Sequence, residues 1–272
     1  MGVVTSFSVG APKVVVTEKD KIILQEKLEK FSKMGNLSTG ELMLKIGLDF
    51  CGTPYVAKTL DISNEENLIV NLREFDCTTF VENCLAIKRT LRSCHPSFDT
   101  FAAELEKIRY RSGRLNGYTS RLHYFSEWMT DNAAKGIVLD VTARLGGTKY
   151  PVLLSFMSSH PDFYPQLKEN PILVKEMRFI ENKISTQPFF SIPKEKIAEH
   201  ESEISEGDIA ALTTRIAGLD VTHLGLMFKK EGRIFLLNAS LTGGKVEITR
   251  MPLSDYLKNS KNTTGIFIIR AI

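Results

Sequence analysis

The chain changes its hydrophobic period near residue 206, and that change limits what it can fold into. Before this point apolar residues recur at helical spacing; after it they alternate. Residues 17–34 set Ile22, Ile23, Leu28 and Phe31 among lysines and glutamates, the pattern of an amphipathic helix. Ser38-Thr39-Gly40-Glu41 reads as a capping box opening a second helix through Leu48. A loop follows at Cys51-Gly52-Thr53-Pro54-Tyr55, and Leu68-Ile69-Val70 reads as a short extended segment. Asp76 then precedes a run, 77–91, whose apolar residues cover most of a helix circumference and predict burial. Beyond Glu206, strands are predicted over 208–213, 222–228, 233–240, 245–249 and 265–269, with turns at Glu231-Gly232 and Gly243-Gly244. Closely spaced hairpins make an antiparallel sheet, and helices followed by strands make an α+β fold.

The middle, 97–193, differs from both ends. Helices are predicted over 99–111, 120–135 and from Pro171 through Ile184, separated by loop-rich stretches containing Gly146-Gly147 and His160-Pro161. Tyr124, Phe125, Trp128, Phe156, Phe163 and Tyr164 make it too aromatic for a linker, so it reads as an elaboration of a single domain. The expected arrangement is a helical part (1–96), an insertion (97–193) and a sheet (194–272).

Composition removes several function classes. With 35 Lys and Arg against 32 Asp and Glu the net charge is +3, which gives no reason to expect a nucleic-acid partner. No apolar run reaches the ~18–20 residues of a membrane span. The cysteines, Cys51, Cys77, Cys84 and Cys94, are too few for a disulfide scaffold and form no CxxC zinc pair, so neither metal nor cofactor is expected. Cys77 and Cys84 would lie about two helical turns, ~10 Å, apart, too far to bridge. Met1-Gly2-Val3-Val4 has no basic n-region or long h-region, so no intact secretory signal is expected.

Cys77 is the first candidate for chemistry. It opens a buried helix behind the N-cap Asp76, where free amides favour a thiolate and lower the thiol pKa. Taken alone it reads more readily as one more small buried hydrophobe, since buried unreactive cysteine is common. A nucleophilic thiol needs a base, and the base an orienting partner. Among His95, His123, His160, His200 and His223, only His223 opens a strand, and Asn238 lies on the next one. With Glu231-Gly232 at the hairpin tip, paired residue numbers sum to about 463, so His223 opposes residue 240 and Asn238 is its diagonal neighbour on the same face. Such neighbours lie ~7–8 Å apart at the backbone, within reach of long side chains.

Gly52-Thr53-Pro54-Tyr55, Phe75-Asp76-Cys77-Thr78-Thr79-Phe80-Val81, Gly207-Asp208-Ile209, His223-Leu224-Gly225-Leu226 and Leu237-Asn238-Ala239-Ser240 occur in an order that resembles the NlpC-type, papain-like cysteine hydrolases of bacterial peptidoglycan. Ser120-Arg121-Leu122-His123-Tyr124-Phe125 and Ser155-Phe156-Met157-Ser158-Ser159-His160-Pro161 are similar to a larger branch, the N-acetylmuramoyl-L-alanine amidases. The resemblance implies a papain-like core with Cys77 as nucleophile, His223 as base and Asn238 as orienting residue. It implies substrate contacts from Tyr55, Asp76, Thr78, Arg121, His123, Tyr124, Trp128 and Ser155. Two positions depart from the usual pattern: Thr78 and Thr79 stand where serine and glycine are common, and Asn238 stands where many members have histidine.

The implied reaction is hydrolysis of the N-acetylmuramoyl-L-alanine amide of muropeptides through a thioester. The alternatives are cleavage of the γ-D-glutamyl–diamino-acid bond and a non-catalytic peptidoglycan-binding module. Trp128, Tyr124 and Phe156 either wall a sugar site or pack the core. Arg121 and His123 either meet the substrate or lie on a solvated helix face. A peptidoglycan substrate implies the cell envelope or periplasm for a mature chain, with cytoplasmic recycling as the other setting.

Overall fold

Helices in the first third begin where a side chain can bond their free amides. The computed structural model describes residues 13–63 and 65–272, so the Met1–Val4 stretch read for a signal lies outside the described residues. After β1 (Val14–Val15), Thr17 caps α1 (Glu18–Phe31) and Ser38 caps α2 (Thr39–Leu48), each with a reciprocal capping box. β2 (Leu68–Ile69) pairs in parallel with β1. Asp76 caps α3 (Cys77–Leu91), and Ser97 caps α4 (Phe98–Arg109). The sequence-predicted helices of this third are all present.

The middle third corrects the sequence reading. The helix expected over 120–135 is shorter: Tyr118–Ser120 makes one 3-10 turn, residues 121–124 run extended, and α5 spans Phe125–Ala134. Arg121 bridges to Tyr110, and the Leu122 N–H donates to the Arg109 carbonyl, so the end of α4 overrides the local helical pattern. His123 and Arg121 therefore lie on no helix. β3 (Val138–Asp140) and β4 (Thr148–Tyr150) follow, then α6 (Phe156–Ser159), α7 (Pro165–Lys168), α8 (Pro171–Ser185), β5 (Phe189–Pro193) and α9 (Ile197–His200). The three strands went unpredicted because pieces of three to five residues show no usable period.

The last third supplies β6 (Ile209–Thr214), β7 (Val221–Lys230), β8 (Arg233–Ser240), β9 (Lys245–Ile248), α10 (Leu253–Lys258) and β10 (Thr263–Ala271). The sheet runs β4-β5-β10-β6-β7-β8-β9, with β3 also paired to β10, so the middle segment is part of the sheet and not a detached insert. The β7–β8 hairpin turns at Glu231 and Gly232, both with positive φ (52° and 76°), and its pairs run from Lys230↔Arg233 to Leu226↔Leu237.

Successive residues of the central strands enter two different cores, because both sheet faces are covered. Ile209, Ala211, Leu224, Leu226, Leu237 and Ala239 pack toward the helical side with Phe80. Ala210, Leu212, Met227, Ile234 and Leu236 pack against Leu253 and Leu257 of α10. α2 lies so close to the sheet that a Cβ on Gly47 would sit 3.0 Å from methyls of Leu226 and Leu237. Burial of side chains such as Phe80, Val81, Leu85 and Ile87 contributes about 1.5–3 kcal/mol each, more than any cap. Among the described residues no helix is long and apolar enough to cross a membrane.

α4 is fastened to α3 by a buried ion pair. Arg109, 1% exposed, donates to Glu82 at 2.7 Å and to the Ile69 carbonyl at 2.7 Å. Arg109→Ala leaves Glu82 buried without its counter-charge and should cost about 3–5 kcal/mol, read as a lowered urea midpoint. A midpoint within experimental error of the parent would show that this pair does not fasten the helices.

Candidate active site

The site forms where the helical third meets the split end of the sheet. Cys77 is the first residue of α3, held by Asp76, whose carboxylate accepts from the Thr79 N–H (2.7 Å) and hydroxyl (2.9 Å). The β7–β8 ladder stops at Leu226↔Leu237, and beyond it the N–H of Leu224 comes near enough to the Cys77 sulfur to favour its thiolate. That approach sets the nucleophile candidate beside the residue that follows His223.

His223 is aimed by a bulge. Leu212 pairs with His223 and Thr213 with Val221, so Thr222 is an extra residue on β7 immediately before the histidine. The His223 Nε2–H donates to Asn238 Oδ1 at 2.8 Å. The Asn238 Nδ2 donates to the carbonyls of Leu236 (3.2 Å) and Glu247 (3.3 Å), which fixes the amide with its oxygen toward the imidazole. In the neutral ring Nδ1 is then the unprotonated, basic nitrogen. Cys77, Thr78 and His223 all border one cavity of about 200 Å³.

The electrostatics differ from the sequence expectation at Cys77. Burial pushes its thiol up to about 11, and the Asp76 carboxylate adds to the rise; the Leu224 N–H, the Thr78 hydroxyl and its own N–H oppose this without winning. The helix amides are present, but desolvation of the charged form outweighs them. Burial also lowers the His223 pKa, with the Asn238 bond opposing. At neutral pH the resting pair is an uncharged thiol and an uncharged imidazole.

The other candidates separate into three groups. His123, Tyr124 and Trp128 border the same cavity as Cys77. Tyr55 lies off the cavity but close to the sulfur: burial raises its phenol pKa, and the charges of Cys77 and Asp76 raise it further. The Tyr55 N–H donates to the Gly244 carbonyl (2.9 Å), so the Gly52–Tyr55 loop is strapped to the edge beside β9. Arg121 lies outside the cavity lining and is no solvated residue; it is 7% exposed and paired with Asp61 (2.6 Å) and Glu66 (3.4 Å). Ser155 also lies outside the lining: its N–H bonds the Gly218 carbonyl (3.2 Å), and Met157, two residues on, supplies the wall.

Sequence reasoning missed Asp220, Tyr164 and the Leu224 amide. Asp220, 2% exposed, borders the cavity and accepts from the N–H groups of Ser126 (2.6 Å) and Val221 (2.8 Å). It caps α5 from a distant strand, a role that local sequence does not signal. All four cysteines are unbridged.

Because the Asp76 carboxylate raises the thiol pKa, Asp76→Asn should lower it while keeping a competent N-cap. The pH dependence of Cys77 alkylation should shift to lower pH in this variant. A shift to higher pH, or none, would contradict the placement of that charge.

Residues 45–266 match the protein family described as AmiA-like, N-acetylmuramoyl-L-alanine amidase-like. The fold is similar to the crystal structure of an N-acetylmuramoyl-L-alanine amidase from Bacteroides uniformis, with TM-score 0.82 and 40% identity over 86% of this chain and 99% of that one. It is similar also to a Bacteroides fragilis protein described as a candidate xylanase, with TM-score 0.79 and 42% identity over 84% and 99% of the two chains. A Legionella pneumophila protein shares the fold at TM-score 0.72 and 21% identity, over 94% of this chain and 95% of that one. Among curated proteins there is no match. The extent of the family match and the identity to the Bacteroides uniformis amidase place this chain in the AmiA-like family of N-acetylmuramoyl-L-alanine amidase-like proteins.

Proposed function

We propose that the protein is a papain-like cysteine amidase of the NlpC type, which hydrolyses the N-acetylmuramoyl-L-alanine amide of muropeptides through a thioester. The observation that carries this reading is the convergence of Cys77 and the His223–Asn238 pair on one cavity. The family and the Bacteroides uniformis relative support the choice of bond.

The reaction begins from the neutral pair. His223 Nδ1 takes the Cys77 proton as the sulfur attacks the lactyl carbonyl carbon, and negative charge moves to the carbonyl oxygen. N–H groups in the first turn of α3 are the natural donors to that oxygen, each worth about 3 kcal/mol of barrier. The imidazolium returns its proton to the L-alanine nitrogen, the C–N bond breaks, and the thioester remains. Water attacks the thioester with His223 accepting its proton, the C–S bond breaks, and the thiol regains a proton. Asn238 holds the ring and does not exchange protons.

A glycosidase would use two carboxylates flanking the scissile bond, ~5–9.5 Å apart. Among the described residues this cavity is bordered by one, Asp220, and backbone amides occupy both of its oxygens. The stem-peptide endopeptidase alternative is decided by products. Digestion of a defined muropeptide should yield free N-acetylmuramic acid and an intact stem peptide by mass spectrometry, whereas release of L-Ala-D-Glu would overturn the bond assignment. Cys77→Ala should fold and lose turnover; unchanged turnover would refute the nucleophile.

The acid limb of kcat/KM should lie below pH 6.5, because burial lowers the His223 pKa and activity is lost as the ring protonates. Asn238 opposes that lowering, so Asn238→Ala should move the limb to lower pH. The same variant should reduce kcat about tenfold, through loss of one orienting hydrogen bond. A limb moving upward, with kcat unchanged, would show that Asn238 does not hold this ring.

A further inference from the structure

The ring of His123 borders the cavity beside Cys77 and takes no part in the mechanism. His123 is stacked on Tyr118, with ring centroids 4.5 Å apart, and its Nε2–H donates to the Tyr118 carbonyl at 3.0 Å. With that proton fixed on Nε2, Nδ1 is a bare acceptor. It has no hydrogen-bond partner among the described residues and belongs to a half-buried ring that borders the cavity. At about 200 Å³ the space is below the ~300–1,000 Å³ of drug-sized sites, so it admits one ring-sized group and not a whole muropeptide. Leu122, Phe125, Trp128 and Met157 make most of its wall apolar.

Charge around the ring narrows the occupant. Arg121 and Arg111 oppose a positive charge on His123, and burial, the larger cause, keeps its pKa well below the usual imidazole value. The bare Nδ1 lone pair and the Asp220 carboxylate turn away an anion.

We propose that His123 is a specificity-determining residue: its unprotonated Nδ1 accepts a hydrogen bond from an uncharged N–H or O–H of the group seated beside Cys77 and His223. The acetamido N–H of an N-acetylated amino sugar satisfies this. The inference rests on the amidase reading for the identity of that group. The acceptor itself is independent of the chemistry at Cys77.

The test uses the full chain carrying Cys77→Ala, which binds without turnover. Its affinity for N-acetylmuramoyl-L-alanyl-D-isoglutamine and for the analogue with hydrogen in place of the acetamido group is measured by calorimetry. The acetylated ligand should bind at least about tenfold tighter, the worth of one acceptor left unmatched. Adding His123→Leu should weaken the acetylated ligand about tenfold and remove the discrimination, and His123→Gln, which keeps an acceptor, should restore part of both. Equal binding of the two ligands before the His123 change, unchanged affinity after it, or no binding of either ligand would overturn the inference. Should His123→Leu not fold, the ¹⁵N resonance of His123 Nδ1 must move upfield when the acetylated ligand binds; a fixed resonance overturns the inference. Discriminating binding without release of N-acetylmuramic acid by the wild-type chain would overturn the amidase reading and leave the acceptor standing. Amidase turnover with indifferent binding would do the reverse.

Discussion

The approach of the Leu224 amide to the Cys77 sulfur is the joint on which the site depends. It ties the first turn of α3, from the helical third, to β7, from the sheet, at the point where β7 and β8 part company. Everything upstream serves to bring α3 to that place. Asp76 fixes where the helix starts, Phe80 seats it on Leu226 and Leu237, and Gly47 lets α2 pack closely enough to hold it there. On the sheet side, the bulge at Thr222 turns His223, and the two carbonyl partners of Asn238 keep its oxygen facing the ring.

That construction explains the electrostatics. A sulfur seated deep enough to reach a strand amide loses water, and the loss outweighs the helix amides and the Thr78 hydroxyl. A histidine in the same cleft is held neutral by the same burial. The pair is therefore not a preformed thiolate–imidazolium couple, and in the proposed reaction the proton moves as the sulfur attacks. A thiol kept neutral at rest is also less reactive toward oxidants and stray electrophiles, since the thiolate is the nucleophilic form.

The outline was legible in sequence where physics is local. An amphipathic pattern announced α1 and capping residues announced α2 and α3, and the Glu231-Gly232 turn fixed the register of the β7–β8 hairpin as far as Leu226↔Leu237. Tertiary contacts hid the rest. β3, β4 and β5 are too short to show a period and exist because β10 and one another offer partners. Residues 121–124 look helical, yet the end of α4 pulls them straight, and this moves His123 off a helix face and onto the cavity. Arg121, one turn of reasoning away from a substrate contact, spends its guanidinium on Asp61 and Glu66. The raised Cys77 thiol could not be foreseen either, because the depth of burial is a property of the assembled core.

The account stands on covalent chemistry at a single sulfur. Wild-type protein mixed with a muropeptide, quenched in acid within a turnover and digested, can be searched by mass spectrometry for an N-acetylmuramoyl adduct. The account predicts that adduct on the peptide carrying Cys77, as a thioester that hydroxylamine releases. Turnover with no adduct at Cys77, or an adduct on another residue, would contradict it.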